Sequence, residues 1–128
     1  SFMKKFILIL FIATSNLFSM PSDIQASYAI GVFHENGMGE KVQNKKITED
    51  NYEGTCFSKI VVLGKIQDNN IQVRIGDSLG YMENTTNVYN IQNIKIGTEI
   101  TFRHYNVSNG YFEVKIDGRI YDYKVFVK

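Results

Sequence analysis

Residues Ile71-Gln72-Val73-Arg74-Ile75 alternate apolar and polar positions, which predicts a strand with Ile71, Val73 and Ile75 turned inward. Phe57–Ile66 (FSKIVVLGKI) is the second clear signal. It sets Ile60, Val62, Gly64 and Ile66 on one face and Val61 and Leu63 on the other, so both faces of this strand are apolar. Gln67-Asp68-Asn69-Asn70 separates the two runs and is rich in turn formers. A loop of that length sets Ile66 opposite Ile71, Gly64 opposite Val73 and Val62 opposite Ile75, and it predicts a hairpin.

The last third of the chain predicts three more strands. Ile100, Phe102 and His104 share one face of Thr98–Tyr105, and Phe112, Val114 and Ile116 share one face of Tyr111–Asp117. A two-residue Asn109-Gly110 turn would mix those faces. A three-residue Ser108-Asn109-Gly110 loop sets His104 opposite Val114 and Phe102 opposite Ile116, with Gly110 as a left-handed bulge. Asp117-Gly118 then predicts a tight hairpin with Val114 opposite Tyr121 and Phe112 opposite Tyr123. That register puts Tyr121, Tyr123, Val125 and Val127 in the core. Glu113 and Asp122 fall opposite one another outside, with Lys115 and Lys124 interleaved to neutralise them. The expected result is a C-terminal three-stranded meander.

Upstream, Tyr28–Phe33 (YAIGVF) reads as a strand and His34–Glu40 (HENGMGE) as a Gly-rich turn, while residues 41–54 carry no clear pattern. Leu79–Met82 continues a strand or begins one. Residues 84–97 are Asn-rich and fit a helical turn, a strand or a loop equally. The fold class is all-β: a small antiparallel barrel of five or six strands, with an OB-like barrel ranked ahead of a sandwich. Three segments follow: 1–19 as a leading scar plus signal peptide, 20–54 as a leader with one strand, and 55–128 as the barrel core.

The signal-peptide reading rests on Lys4-Lys5, the apolar run Phe6–Ala13 and the polar end Thr14–Ser19. Eight apolar residues are too few for a span, which needs roughly 20. The preferred cut follows Ser19, and the second choice follows Ala26. The whole chain has 128 residues and a net charge of +1. Without residues 1–19 it has 109 residues, 12 basic against 13 acidic groups, and a net charge of −1. That balance argues against a protein that grips duplex nucleic acid by neutralising phosphates. The expected location is periplasmic or secreted, and the bias toward Ile, Asn and Lys suggests an AT-rich bacterial source.

Catalytic chemistry finds little support. Cys56 is the single cysteine, and only His34 and His104 could serve it as a base. A half-buried Cys at a strand start and a hydrogen-bonded His104 at the edge of the core are the simpler readings. In an oxidising compartment Cys56 is a candidate for an intermolecular disulfide. No Cys or His spacing builds a zinc site, no calcium loop is present, and Gly37-Met38-Gly39 lacks the rest of a dinucleotide fingerprint. The sequence therefore predicts no catalytic residue, no metal and no cofactor. Asn84-Thr85-Thr86 and Asn106-Val107-Ser108 fit the glycosylation pattern at a frequency that chance explains.

Aromatic residues beside cations are the most functional feature. Tyr105 and Tyr111 flank the expected 106–110 hairpin, and with Arg103 and Arg119 they form the candidate binding set. The expected function is an exported, non-enzymatic binding or adaptor domain whose partner is a protein or glycan in the cell envelope or outside the cell. Nucleic acid and a stable membrane span are not expected, and homo-oligomerisation is left open. Exposed strand edges with outward Ile120 and Phe126 support an alternative, a self-assembling subunit of a surface, toxin or secretion complex. An inhibitor or immunity protein of a cell-envelope enzyme is a further alternative.

Overall fold

Alternating side chains on the strands of two sheets meet in one apolar layer, and the computed structural model describes residues 6–7 and 20–128. The larger sheet runs in the order β1 (Phe6–Ile7), β7 (Tyr81–Tyr89), β8 (Lys95–Val107), β4 (Gly54–Gly64), β2 (Ile24–His34) and β3 (Gly39–Lys41). The second runs β10 (Arg119–Asp122), β9 (Gly110–Ile116), β5 (Ile71–Ile75) and β6 (Ser78–Leu79), and β11 (Phe126–Val127) also pairs with β9. All neighbours are antiparallel except β1, which lies parallel to Val88–Tyr89 of β7. The protein is all-β with two sheets, and no helix occurs among the described residues. The sheets do not close into a barrel. Apart from Phe6–Ile7, the expected signal segment lies outside the described residues.

The core faces match the apolar alternation. Ile60 and Val62 of β4, Ile100 and Phe102 of β8, Val73 and Ile75 of β5, and Phe112, Val114 and Ile116 of β9 fill the space between the sheets. Val61 and Leu63 sit on the other face of β4, in a smaller cluster with Ile30, Val88 and Ile96. A strand that is apolar on both sides thus serves two clusters. β2 begins at Ile24, four residues before the expected strand at Tyr28, with Ser27 Oγ donating to the Val61 carbonyl at 2.9 Å. The Asn-rich stretch forms β7 and its turn into β8. The turn is held by Asn90 Oδ1, which accepts from the amides of Gln92 and Ile94 at 2.9 and 3.0 Å.

Two expected hairpins are not hairpins. β4 pairs with β2 and β8, and β5 pairs with β9 and β6, so residues 65–70 cross from one sheet to the other. β8 likewise pairs with β4 and β7, so residues 108–109 also cross, and no three-stranded β8–β9–β10 meander forms. Periodicity fixes which face is buried. It does not distinguish a ladder neighbour from a strand lying opposite across the core. Gly64 marks the first crossing: its φ of +103° and the Asp23 carbonyl against its Cα leave no place for a Cβ.

The Asp117-Gly118 hairpin forms as expected, with Arg119 opposite Ile116. Its register then breaks. A bulge between Ile120 and Asp122 puts Asp122, not Tyr121, opposite Val114. Asp122 is consequently buried and Tyr123 is exposed, while Tyr121 packs partly against the core and Val125 and Val127 are fully in it. Asp122 does not face Glu113, whose cross-strand neighbour is Arg74.

Where the sheets approach each other at their edges, polar side chains join them. At one seam the Ala29 amide, freed from its ladder by a bulge in β2, donates to Asp122 Oδ2 at 2.9 Å. At the other seam His104 of β8 and Ser78 of β6 lock together. The ring Nδ1 lies 3.1 Å from the Ser78 carbonyl, and Ser78 Oγ donates to the Tyr105 carbonyl at 2.7 Å. Gly80 makes room for this lock, because a Cβ there would come within 2.8 Å of the His104 ring.

The unpatterned segment 41–54 is organised by one carboxylate. Glu40 Oε1 accepts from Lys45 Nζ and the Glu49 amide, and Oε2 accepts from the Asp50 amide and the Tyr52 hydroxyl, all at 2.8–3.0 Å. Burial alone would raise the Glu40 pKa, but these donors outweigh it and hold the group at about 2. The loop then seals against the C-terminus. Ile47 bridges Phe126, the Phe126 amide donates to the Lys46 carbonyl at 2.9 Å, and the Thr48 amide donates to the Phe126 carbonyl at 3.0 Å. Glu40→Ala is expected to lower unfolding free energy in urea by about 2–4 kcal/mol, since several charge-assisted hydrogen bonds go at once. Glu40→Gln should recover part of it. A loss of less than about 0.5 kcal/mol, the level of an ordinary surface change, would contradict this role.

Candidate functional site

The candidate binding residues do not form one site. Arg103 and Tyr105 point outward from the larger sheet, whereas Tyr111 points outward from the smaller one, on the opposite side of the sandwich. With no hairpin between them, Tyr105 and Tyr111 flank a crossing instead. Arg103 is already engaged: its guanidinium lies 4.5 Å from the Phe57 ring centroid and donates to both Glu83 carboxylate oxygens at 3.2 and 3.3 Å. Tyr105 pairs with Tyr81 at a centroid distance of 6.0 Å. Arg119 stacks over its neighbour Tyr121 at 4.9 Å.

Tyr111 belongs to a more developed arrangement. Its ring contacts Tyr123 at 5.1 Å with 37° between the planes, and Phe126 meets it edge-on at 5.3 Å. Phe126 is Tyr111's cross-strand partner, so the register of β11 on β9 fixes the pair. Tyr111 and Tyr123 remain 43% and 52% exposed, so their outer surfaces are free to meet a ligand. They form one wall of an open groove of about 710 Å³. Lys124 lies beside them, and the Gln43–Lys46 stretch of the Glu40-pinned loop forms the other wall.

The groove is electrostatically one-sided. Lys45, Lys46 and Lys124 line it and no carboxylate does. Lys45 is committed to Glu40 at 2.8 Å and Glu49 at 3.6 Å. Among the described residues, Lys46 and Lys124 have no carboxylate within 4.0 Å. A second cleft, of about 450 Å³, crosses the outer face of the larger sheet. It is lined by Asn and Thr side chains with both Lys59 and Glu99, and Lys59 already sits 4.8 Å from the Phe33 ring centroid. Its charges balance. The Tyr111–Tyr123 groove is the stronger candidate.

The sequence missed Tyr123, Lys124 and Lys46 as site residues. Simple alternation sends Tyr123 inward, and the bulge that reverses it has no local sequence mark.

Cys56 and the two histidines line up in register across β2, β4 and β8, with Cys56 between His34 and His104. The row is not set up for nucleophilic chemistry. Cys56 is 0% exposed, and burial pushes its thiol up to about 12, so its sulfur stays protonated and out of reach of a second chain's thiol in the folded state. His104 is buried too, and both ring nitrogens are occupied. Since the Ser78 carbonyl can only accept, Nδ1 carries the proton, and Nε2 accepts from Ser58 Oγ at 2.8 Å. His34 stacks on Tyr52 at 4.4 Å and bonds Asp50 at 2.6 Å, part of the same pinned loop. Among the described residues no group of His, Cys, Asp and Glu is placed to hold a metal ion.

Burial lowers the His104 pKa from 6.5 to about 4, against the opposing pull of the Ser78 carbonyl. The unfolded chain therefore binds more protons between those pH values. The contribution of neutral His104 is complete above pH 6.5 and is lost as pH falls through about 4, a total of about 3 kcal/mol. Urea titrations across pH 4–7 should show this slope, and His104→Gln should flatten it. An unchanged slope in the variant would show that other groups carry it. No family model, no curated protein and no solved structure matches the chain.

Proposed function

We propose that the chain is an exported, non-enzymatic binding domain that captures an anion-bearing partner of the cell envelope or exterior at the Tyr111–Tyr123 groove. The observation that carries this reading is the β10 bulge. It turns Tyr123 out of a core position and turns Asp122 in, leaving Asp122 Oδ1 buried with no hydrogen-bond partner among the described residues. An unpartnered buried carboxylate oxygen costs on the order of 1–3 kcal/mol. Burying Tyr123 would have gained apolar contact instead. Local rules broken at a cost to stability concentrate where a surface is needed for function, and bulges commonly re-aim a side chain beside a site.

Three further features support the reading. Tyr111 is braced by Phe126 and in turn packs on Tyr123, the opposite wall is fixed by Glu40, and two lysines lack an internal counter-charge. A rigid, pre-assembled surface loses little entropy on binding. The Lys4-Lys5 and Phe6–Ala13 pattern supports export. β1 adds only two residues at the outer edge of β7, which keeps its own pairing with β8. The occupied nitrogens of His104 and the raised thiol of Cys56 favour binding over catalysis.

Affinity capture from solubilised cell envelope tests the reading, with the wild-type chain compared against Tyr123→Ala and the double variant Lys46→Ala/Lys124→Ala. Capture of the partner should drop at least tenfold in both. Their unfolding free energies should stay within about 0.5 kcal/mol of wild type, as expected for exposed positions. Capture that is indifferent to all three substitutions would remove the groove from the function.

A further inference from the structure

Given the groove reading above, on which this step rests, the remaining question is what kind of anion fits. A polypeptide most readily joins a β protein by adding a strand to an open edge, where main-chain hydrogen bonds supply the affinity. This groove offers no such edge. The outer side of β11 is taken by the loop, because the Phe126 amide and carbonyl bond Lys46 and Thr48, and Lys128 continues the seal. The Lys128 amide donates to Thr48 Oγ1 at 2.9 Å, and its carbonyl accepts from the Tyr52 amide at 2.7 Å. Strand addition to β11 is thus closed, and recognition at the groove turns on the side chains that line it.

Those side chains are of three kinds. Tyr111 and Tyr123 touch each other at 5.1 Å, so no flat ring slides between them, and a ligand must lie across their exposed faces. Gln43 and Asn44 bring amides that both donate and accept, which suits hydroxyl groups. Lys46 and Lys124 bring uncompensated positive charge. An apolar ring face, several hydroxyls and an acidic substituent occur together in acidic sugars. We infer that the groove binds an acidic oligosaccharide, with a sugar face on the Tyr111–Tyr123 platform and its carboxylate or sulfate at Lys46 and Lys124.

Two-dimensional NMR titration of the chain tests this with four probes: tetragalacturonate, a sulfated heparin tetrasaccharide, neutral cellotetraose and a hexaglutamate peptide. At least one acidic tetrasaccharide should give saturable shifts centred on Tyr111, Tyr123 and Lys124, and its affinity should fall as salt rises. The two acidic arms tell carboxylate from sulfate. Affinity should fall at least tenfold in Lys46→Ala/Lys124→Ala and in Tyr123→Ala, whereas Tyr123→Phe should keep it, because the platform needs the ring and not the hydroxyl. Equal binding of cellotetraose would overturn the role of charge. Hexaglutamate binding as tightly at the same residues would overturn the sugar while leaving the groove as the binding surface. Silence from every probe, with envelope capture still dependent on Tyr123 and the lysines, would likewise overturn the sugar alone. Silence together with capture indifferent to those residues would overturn both.

Discussion

The hydrogen bond from the Ala29 amide to the Asp122 carboxylate holds together what the two sheets alone leave open. A sandwich whose sheets do not merge into a barrel has two seams, each with backbone groups that lack ladder partners. Here β2 and β10 bulge toward one another, and a single carboxylate spans the gap. The consequences run down the chain in order. Asp122 must turn inward, Tyr123 must turn outward, and Val125 returns to the core with its carbonyl accepting from Phe112 at 2.9 Å. Phe126 can then pair with Tyr111 and brace its ring, on which Tyr123 packs. The seam and the groove are one construction.

The opposite seam is made with different chemistry and leaves nothing at the surface. His104, Ser58 and Ser78 satisfy one another inside the protein, and a desolvated imidazole stays neutral there. Its cross-strand neighbour Cys56 shares that dry setting. Of the residues that drew attention as possible catalysts, His104 is part of a joint between the sheets, while Cys56 and His34 sit in its own sheet. Buried polar groups such as Ser27, Ser58 and His104 act as connectors, with their partners on neighbouring strands or the other sheet. Asp122 differs from them in having one oxygen engaged, by Ala29, and one without a partner among the described residues.

Much of the core was legible in the sequence, and most of the partnerships were not. Alternation in Ile71–Ile75, Phe57–Gly64 and Tyr111–Ile116 correctly assigned which side chains face the space between the sheets, because the period of a strand is a local property. Pairing is not local. The same inward faces serve a hairpin or an arch across the core, and backbone contacts at Gly64 and at Gly76, where a Cβ would lie 2.6 Å from the Asn109 carbonyl, decide between them. Segment 41–54 carried no periodicity because its order comes from Glu40, a residue in the preceding strand. Tyr111 was legible as an outward aromatic. Tyr123 was not, since a bulge one residue long swaps the sides of Asp122 and Tyr123 before Val125 returns to the core.

Selective nitration of the native chain, read by peptide mass spectrometry, tests this account most directly. Reagent in solution modifies tyrosines in order of exposure, so Tyr123 should be nitrated ahead of Tyr121, with Tyr111 close behind it. Tyr52, 1% exposed with its hydroxyl on Glu40, should react only on unfolding. Protection of Tyr123 with early modification of Asp122's other neighbour, Tyr121, would mean that the strand continues without its bulge. The groove and the function built on it would then go too.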